Sequence, residues 1–373
     1  MTRPLKILHV AETAQGGVGS YIEEVLSIQT SLYGEECVRA VLPREHATHF
    51  RFPAGVVKTF DIGSGGRLGT MRRAALRALR EVKAWRPDIV HLHSTGAGLV
   101  LRPLLYLKPH RPRVVYCAHG WAFDRQGSAY TNSLLALMER IWGFFCDAVV
   151  CISDHDLRSG RKAGISASRL VMIRNGIADA IGATDESFAT LWPAGSLRIL
   201  FVGRLDRQKG VDILYGALRQ LGPRVSAVVV GAPVVADAHS ALEPPHNATL
   251  VGWLPRDRIA TLCHAAQLLV VPSRWEGFGL AAVEGMRAGR AVIASRVGGL
   301  AEVVEDGVTG LLIESESSDR LAEAIASVPD ATLREMGAEG RKRYERLFHI
   351  RRVGDELDGL YRRLLRGAAA DAA

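Results

Sequence analysis

No run in this 373-residue chain is apolar for long enough to cross a membrane. The best candidate, Leu134 to Ile152, is broken by Glu139, Arg140 and Asp147, whereas a spanning helix needs about 20 largely apolar residues. Cysteine is scarce. The five present (37, 117, 146, 151 and 263) form no CxxC pair and no metal-ligand spacing. That excludes a disulfide scaffold and a cysteine zinc site, and leaves small core residues in a reducing cytoplasm. Low-complexity sequence is confined to the alanine-rich tail, Ala368 to Ala373. Arg3 and Lys6 precede Ile7-Leu-His-Val10 in the manner of a signal peptide, but the apolar part is too short and Glu12 follows at once. A first buried strand is the better reading. No aromatic-basic interleaving accompanies the pI near 9.4, so nothing but charge speaks for nucleic-acid binding.

What is present is ordinary for a globular chain: 48% hydrophobic and 23% charged residues, with length enough for two cored domains. The net charge of +8 is unevenly spread. Residues 1–182 hold 24 Lys+Arg against 15 Asp+Glu, and the remainder 23 against 24. The N-terminal half therefore faces something anionic.

Short apolar runs alternate with helix-like stretches. Leu5–Val10, Ile89–His93, Val114–Ala118, Ala148–Ile152 and Leu170–Ile173 read as strands in the first half. Arg198–Val202, Ala227–Val230, Leu268–Val271, Ala291–Ala294 and Gly310–Ile313 repeat the pattern in the second. Continuous apolar strands between helices predict parallel sheets covered on both faces, hence two doubly wound, Rossmann-like α/β domains. Asp179–Ser196, rich in Ala and Gly with Pro193, reads as the linker between a domain over 1–182 and another over 196–349. A charged helix is expected over about Ala331 to Leu365.

Ligands of open parallel sheets bind beyond the carboxyl ends of strands. After the first strand comes Gln15-Gly-Gly-Val-Gly-Ser20, then a helical run. Glycines there let backbone N–H groups approach a phosphate. The dinucleotide fingerprint GxGxxG is not completed, because Ile22 stands in the final glycine's place. A tight turn without a ligand explains the run as well. After the first strand of the second half, Arg204 and Lys209 share a loop with Gly203 and Gly210. Two cations suit a diphosphate, though a solvated loop reads the same. The third stretch is Pro272-Ser-Arg-Trp-Glu-Gly-Phe-Gly-Leu-Ala-Ala-Val-Glu284. Its glycines argue against one unbroken helix. They predict a strand, a loop carrying Glu276, and a helix from about Leu280 with Glu284 one turn in. The amides of Gly279 and Leu280 would meet a phosphate, and the two carboxylates hydroxyls on either side of it.

With these residues in hand, "GRLDRQKG" followed by "PSRWEGFGLAAVEGMRAGRAVIASRVGGLAEVVEDGVTGLL" resembles the retaining glycosyltransferases of family 4, which have the GT-B fold. The E-x7-E pair, the R-x4-K pair and the run Gly298-Gly-Leu-Ala-Glu302 stand in the family's order and spacing. "GGVG", Ala118-His-Gly120, Ser153-Asp154 and Asn175-Gly-Ile177 resemble it too. The likeness covers nearly the whole chain, most weakly over 30–85 and 178–196.

The resemblance implies two Rossmann-like domains facing across a cleft, with the helix of 350–373 returning to the first. It implies that Arg204 and Lys209 hold the donor diphosphate, that Glu284 binds the ribose and Glu276 the sugar, and that Gly279, Leu280 and Gly17 offer amides. His119 would sit over the sugar's reactive face. His9, His91 and His93 read as core or turn residues. The resemblance implies no cofactor and no metal. Trp253 borders the base or merely packs; Trp275 and Trp121-Ala-Phe123 would shape sugar or acceptor pockets.

Gly66–Trp85 reads as an amphipathic helix, with Leu68, Met71, Ala75, Leu79 and Val82 on one side. Arg72, Arg73, Arg77, Arg80 and Lys83 lie on the other. It is a solvated surface helix or binds an anionic leaflet. The expected partners are a nucleotide sugar and a sugar or polyprenyl-diphosphate-linked glycan, as in surface polysaccharide synthesis. The expected location is the cytoplasm, peripheral to the inner membrane. The competing readings are a sugar-nucleotide epimerase or phosphorylase of similar architecture and, on charge alone, a nucleic-acid-binding protein.

Overall fold

A computed structural model describes residues 4–48, 52–53, 55–108, 110–180, 186–233 and 243–371. Arg3, the expected boundary at 182, the middle of the expected linker and the last two alanines lie outside the described residues. The chain divides into two compact units, Met1–Gly176 with Ile350–Ala373, and Ile177–His349.

The first unit is a seven-stranded parallel sheet. Its strands are β1 (Ile7–Ala11), β2 (Val38–Pro43), β3 (Val57–Phe60), β4 (Ile89–His93), β5 (Arg113–Cys117), β6 (Ala148–Cys151) and β7 (Leu170–Met172). They run in the order β3-β2-β1-β4-β5-β6-β7. β1 pairs with both β2 and β4, and His9 stands opposite His91. All five residues of β1 and of β4 are buried, because helices cover both faces. The order reverses at β1, so the loops after β1, β4 and β5 surround a switch point. Helix Ile350–Asp371 packs on helix Gly16–Tyr33 of this unit. Tyr33 donates to Asp358 at 2.6 Å, and Val353, Leu357, Leu360 and Tyr361 are buried.

The second unit is a six-stranded parallel sheet. Its strands are β8 (Leu197–Val202), β9 (Val225–Val230), β10 (Ala248–Gly252), β11 (Leu268–Val271), β12 (Ala291–Ser295) and β13 (Gly310–Ile313). Its order is β10-β9-β8-β11-β12-β13. Here the switch point lies between β8 and β11, which are paired neighbours.

Three expectations need correction. Part of the segment expected as a linker is packed: Trp192 is buried and donates to the Ile199 carbonyl at 3.0 Å. The final helix is two helices, Asp330–Leu347 and Ile350–Asp371. Phe348, between them, is buried edge-on against Phe278. Helix Gly66–Trp85 forms as expected, but its inner face is Met71, Ala74, Ala75, Ala78, Val82 and Trp85. Leu68 is 79% exposed. Two of its bases are also engaged: Arg73 donates to the carbonyls of Asp61 and Ile62, and Arg77 pairs with Glu81.

Candidate active site

In the second unit, the loop after β8 and the loop after β11 are stitched together. Arg274 donates its backbone N–H to the Gln208 carbonyl at 2.8 Å. Its guanidinium reaches the Arg207 carbonyl and both carboxylate oxygens of Asp212, at 2.6 to 2.9 Å. Gln208 donates to the Trp275 carbonyl and accepts from Arg204 at 2.6 Å. Lys209 Nζ lies 2.5 Å from Glu276 Oε2, to which Ser273 Oγ also donates at 3.2 Å. Arg204 is 3.1 Å from Asp206.

The helix after this loop starts at Leu280, and Gly279 precedes it with a φ of 102°. A Cβ there would stand 2.4 Å from Leu300 Cδ2, so glycine is required on both grounds. Glu284 is buried in the helix's second turn. The N–H groups of a first helical turn have no helical partner and carry the positive end of the dipole. Gly298 and Gly299 lie against the Glu276 loop. The Gly299 N–H bonds the Glu276 carbonyl at 3.1 Å, and a Cβ on Gly298 would be 1.9 Å from that oxygen.

The structure thus joins Lys209 to Glu276 directly, seats Arg204 in the Lys209 loop, and puts Gly279, Leu280 and Glu284 at one helix start. The chemistry of such a site follows from its charge. Two cations within one loop attract a diphosphate, and carboxylates beside them accept from hydroxyls. Both cations already have acidic neighbours here, so a diphosphate has to compete for them.

The remaining site residues lie in the first unit. Gly17 is exposed in the first turn of helix Gly16–Tyr33. His119 follows β5 with a φ of 58°, a backbone region few non-glycine residues adopt. Its ring meets Tyr21 edge-on at 4.7 Å and its Nε2 is 3.0 Å from His93 Nδ1. Burial lowers its pKa to about 3, so it is a neutral imidazole at any physiological pH. His9, His91 and His93 are fully buried beside it. One ring nitrogen from each lies within 4.8 Å of those of the other two. Strand periodicity puts His91 and His93 on one face, and His9 is the register partner of His91.

Trp121 is no pocket wall. It is buried in the core and donates to the Asp156 carbonyl at 2.7 Å. Trp253 is half exposed and Trp275 half buried. Sequence reading passed over Gln208, Ser273, Arg274 and Asp212. Glu12 went unread too; it is buried and accepts from Ser94 Oγ at 2.8 Å and from the amides of Gly96 and Ala97. Arg274, Asp212 and Glu12 act on residues distant in sequence and carry no spacing signal, whereas Ser273 and Gln208 also reach residues three and four positions away.

Comparison with known proteins agrees with this geometry. The sequence profile of "Glycosyltransferase Family 4" matches residues 16–180, and that of "Glycosyl transferases group 1" matches 183–343. The α-maltose-1-phosphate synthase of Mycolicibacterium smegmatis is 31% identical, over 94% of this chain and 96% of its own length. The chain belongs to the group 1 glycosyltransferases. Its fold is GT-B. A sucrose-phosphate synthase from Thermosynechococcus elongatus superposes with a TM-score of 0.83 at 22% identity, covering 98% of this glycosyltransferase and all of the other chain. Anabaena HepE in complex with UDP-glucose gives 0.78 at 20% identity, covering 95% and 99%.

Proposed function

We propose that this glycosyltransferase moves a sugar, with retained anomeric configuration, from a nucleoside-diphosphate sugar to a hydroxyl of a lipid-linked glycan. The observation that carries the donor side is the Lys209–Glu276 ion pair at 2.5 Å, which ties together the two loops at the switch point. A cation and a carboxylate in contact fit the junction of a donor, where a diphosphate meets a sugar. Arg204 and Lys209 hold the diphosphate, Glu276 the sugar hydroxyls and Glu284 the ribose. Gly17, Gly279 and Leu280 contribute amides.

In the reaction the anomeric carbon–diphosphate oxygen bond breaks. The acceptor oxygen bonds to the same carbon from the same face, and its proton passes to the departing diphosphate. Arg204 and Lys209 neutralise the charge that develops there, without need of a metal. His119, neutral and at the end of β5, positions a hydroxyl beside the reacting carbon.

The acceptor reading rests on surface chemistry. Glu139 and Trp142 anchor helix Ala129–Trp142 to the first unit: Glu139 bonds Arg102 and Tyr116, and Trp142 the Leu99 carbonyl. That leaves Tyr130, Leu134, Leu137 and Ile141 in a row, each 44% exposed or more. Phe144 extends it at 58%. An apolar row on the half of the chain with excess positive charge suits an anionic membrane, where a polyprenyl acceptor resides. Among the described residues no helix is long and apolar enough to cross a membrane.

The test is transfer itself. UDP-, GDP-, ADP- and TDP-sugars are offered with a polyprenyl-diphosphate glycan in the presence of chelator, starting from UDP-glucose, and the product's anomeric configuration is read by NMR. A product matching the donor's configuration supports the proposal. Epimerised nucleotide sugar, or consumption of phosphate, would replace it with one of the competing readings.

A further inference from the structure

Gln29 and three histidines, His9, His93 and His119, form a continuous hydrogen-bonded chain. Gln29 is buried in helix Gly16–Tyr33. Its Oε1 lies 2.7 Å from His9 Nε2, and its Nε2 lies 3.4 Å from the Tyr361 hydroxyl. His9 Nδ1 is 2.9 Å from His93 Nε2, and His93 Nδ1 is 3.0 Å from His119 Nε2. His91 stands beside this line with its Nδ1 on Tyr361. His9, His91 and His93 have no solvent exposure. His119 is the open end, and its Nδ1 makes no hydrogen bond among the described residues.

The protons follow from elementary accounting. An amide oxygen only accepts, so His9 carries its proton on Nε2. A neutral imidazole has one N–H, so His9 Nδ1 is a lone pair and His93 must donate to it from Nε2. His93 Nδ1 is then a lone pair, and His119 donates to that from Nε2. Burial keeps these rings neutral, with His9 near 4 and His119 near 3. We propose that Gln29, acting through His9 and His93, is a positioning residue for His119: it fixes the His119 proton on Nε2 and leaves Nδ1 as a bare hydrogen-bond acceptor. A site that must take an O–H from a sugar needs that tautomer and not the other. This last step rests on the glycosyltransfer reading; the tautomer does not.

The distances favour protons over a bound cation among the histidines. Two imidazole nitrogens on one tetrahedral zinc, each about 2.0–2.1 Å from it, stand roughly 3.3 Å apart. Here His9 Nδ1 and His93 Nε2 stand 2.9 Å apart, a hydrogen-bonding distance.

The experiment is long-range proton–nitrogen NMR on protein labelled with 15N-histidine. The wild type should show His119 protonated on Nε2 with an unprotonated Nδ1, and the same tautomer at His93 and His9. In Gln29→Leu a buried His9 Nε2–H would have no acceptor, which is more costly than an unpaired lone pair. The proton should move to His9 Nδ1, reversing all three rings. The kcat for transfer should then fall about tenfold or more, with a smaller change in donor KM. A His119 proton on Nδ1 in the wild type, an unchanged tautomer in Gln29→Leu, or stoichiometric metal bound by the three histidines would overturn the proposal. The predicted tautomers in a protein that transfers no sugar would uphold the chain and sink the glycosyltransfer reading instead.

Discussion

Glu276 is where the residue scale matters most. It meets Lys209, accepts from Ser273, and its carbonyl is held by Gly299. Glu276→Gln keeps the shape and the bond from Ser273 but removes the charge facing Lys209. Turnover should fall by about 10²-fold or more, since a lost hydrogen bond to a charged group is worth about 1.5–3 kcal/mol and the loop would also loosen. Steady-state rates at saturating donor check this, and a rate within twofold of wild type would remove Glu276 from the reaction. Glu276, Glu284, Arg204 and Lys209 were legible because each keeps a fixed spacing to a partner close in sequence. Gln208, Ser273 and Arg274 were not. Gln208 and Arg274 bond the neighbouring loop, and a one-dimensional string holds no trace of which loop folds beside which; Ser273 acts locally on Glu276, but a lone serine carries no signal.

At the scale of elements, the strands buried on both faces announced themselves as apolar runs. β3 and β10 did not, and both are edge strands. β3 (Val-Lys-Thr-Phe) is largely half-buried, and β10 has two exposed residues. β2 escaped for another reason. Arg39 interrupts it, and that charge lies over the Trp85 ring at 4.5 Å and pairs with Glu81 at 2.9 Å. The turn at Gly298 makes a sharper prediction. It combines a φ of 48° with backbone contact to Glu276. Gly298→Ala should push the Glu276 loop away, weakening nucleotide-sugar binding by tenfold or more, while far-UV circular dichroism stays native. Unchanged donor affinity would mean that this contact does not set the loop.

The whole molecule carries two further consequences. His9, His91, His93 and His119 have pKa values lowered by burial, to about 4 for His9 and about 3 for His119. Unfolded, each titrates near 6.5. The unfolded chain therefore binds protons that the native one refuses. The stability is full above about pH 6.5 and is lost as pH falls toward the folded values. The slope is about 1.4 kcal/mol per pH unit for each imidazole. Denaturant midpoints should drop steeply between pH 6.5 and 5, and a flat profile there would contradict the buried neutral cluster. The second concerns the proposed membrane attachment. Leu134→Glu with Leu137→Glu should abolish flotation with anionic vesicles, whereas Arg72→Glu, on the helix with internally engaged bases, should only weaken it. If the double variant floats like wild type, helix Ala129–Trp142 serves something else, such as a second copy of the chain.

The most direct measurement is calorimetric binding of UDP, GDP, ADP and TDP to the wild type and to Lys209→Ala, with chelator present. The account predicts that one nucleotide binds the wild type selectively without metal. It also predicts that Lys209→Ala weakens that binding by 10-fold or more, the loss of a charge-assisted contact worth about 1.5–3 kcal/mol. Binding of equal strength in both proteins, or binding that appears only when magnesium is added, would contradict it.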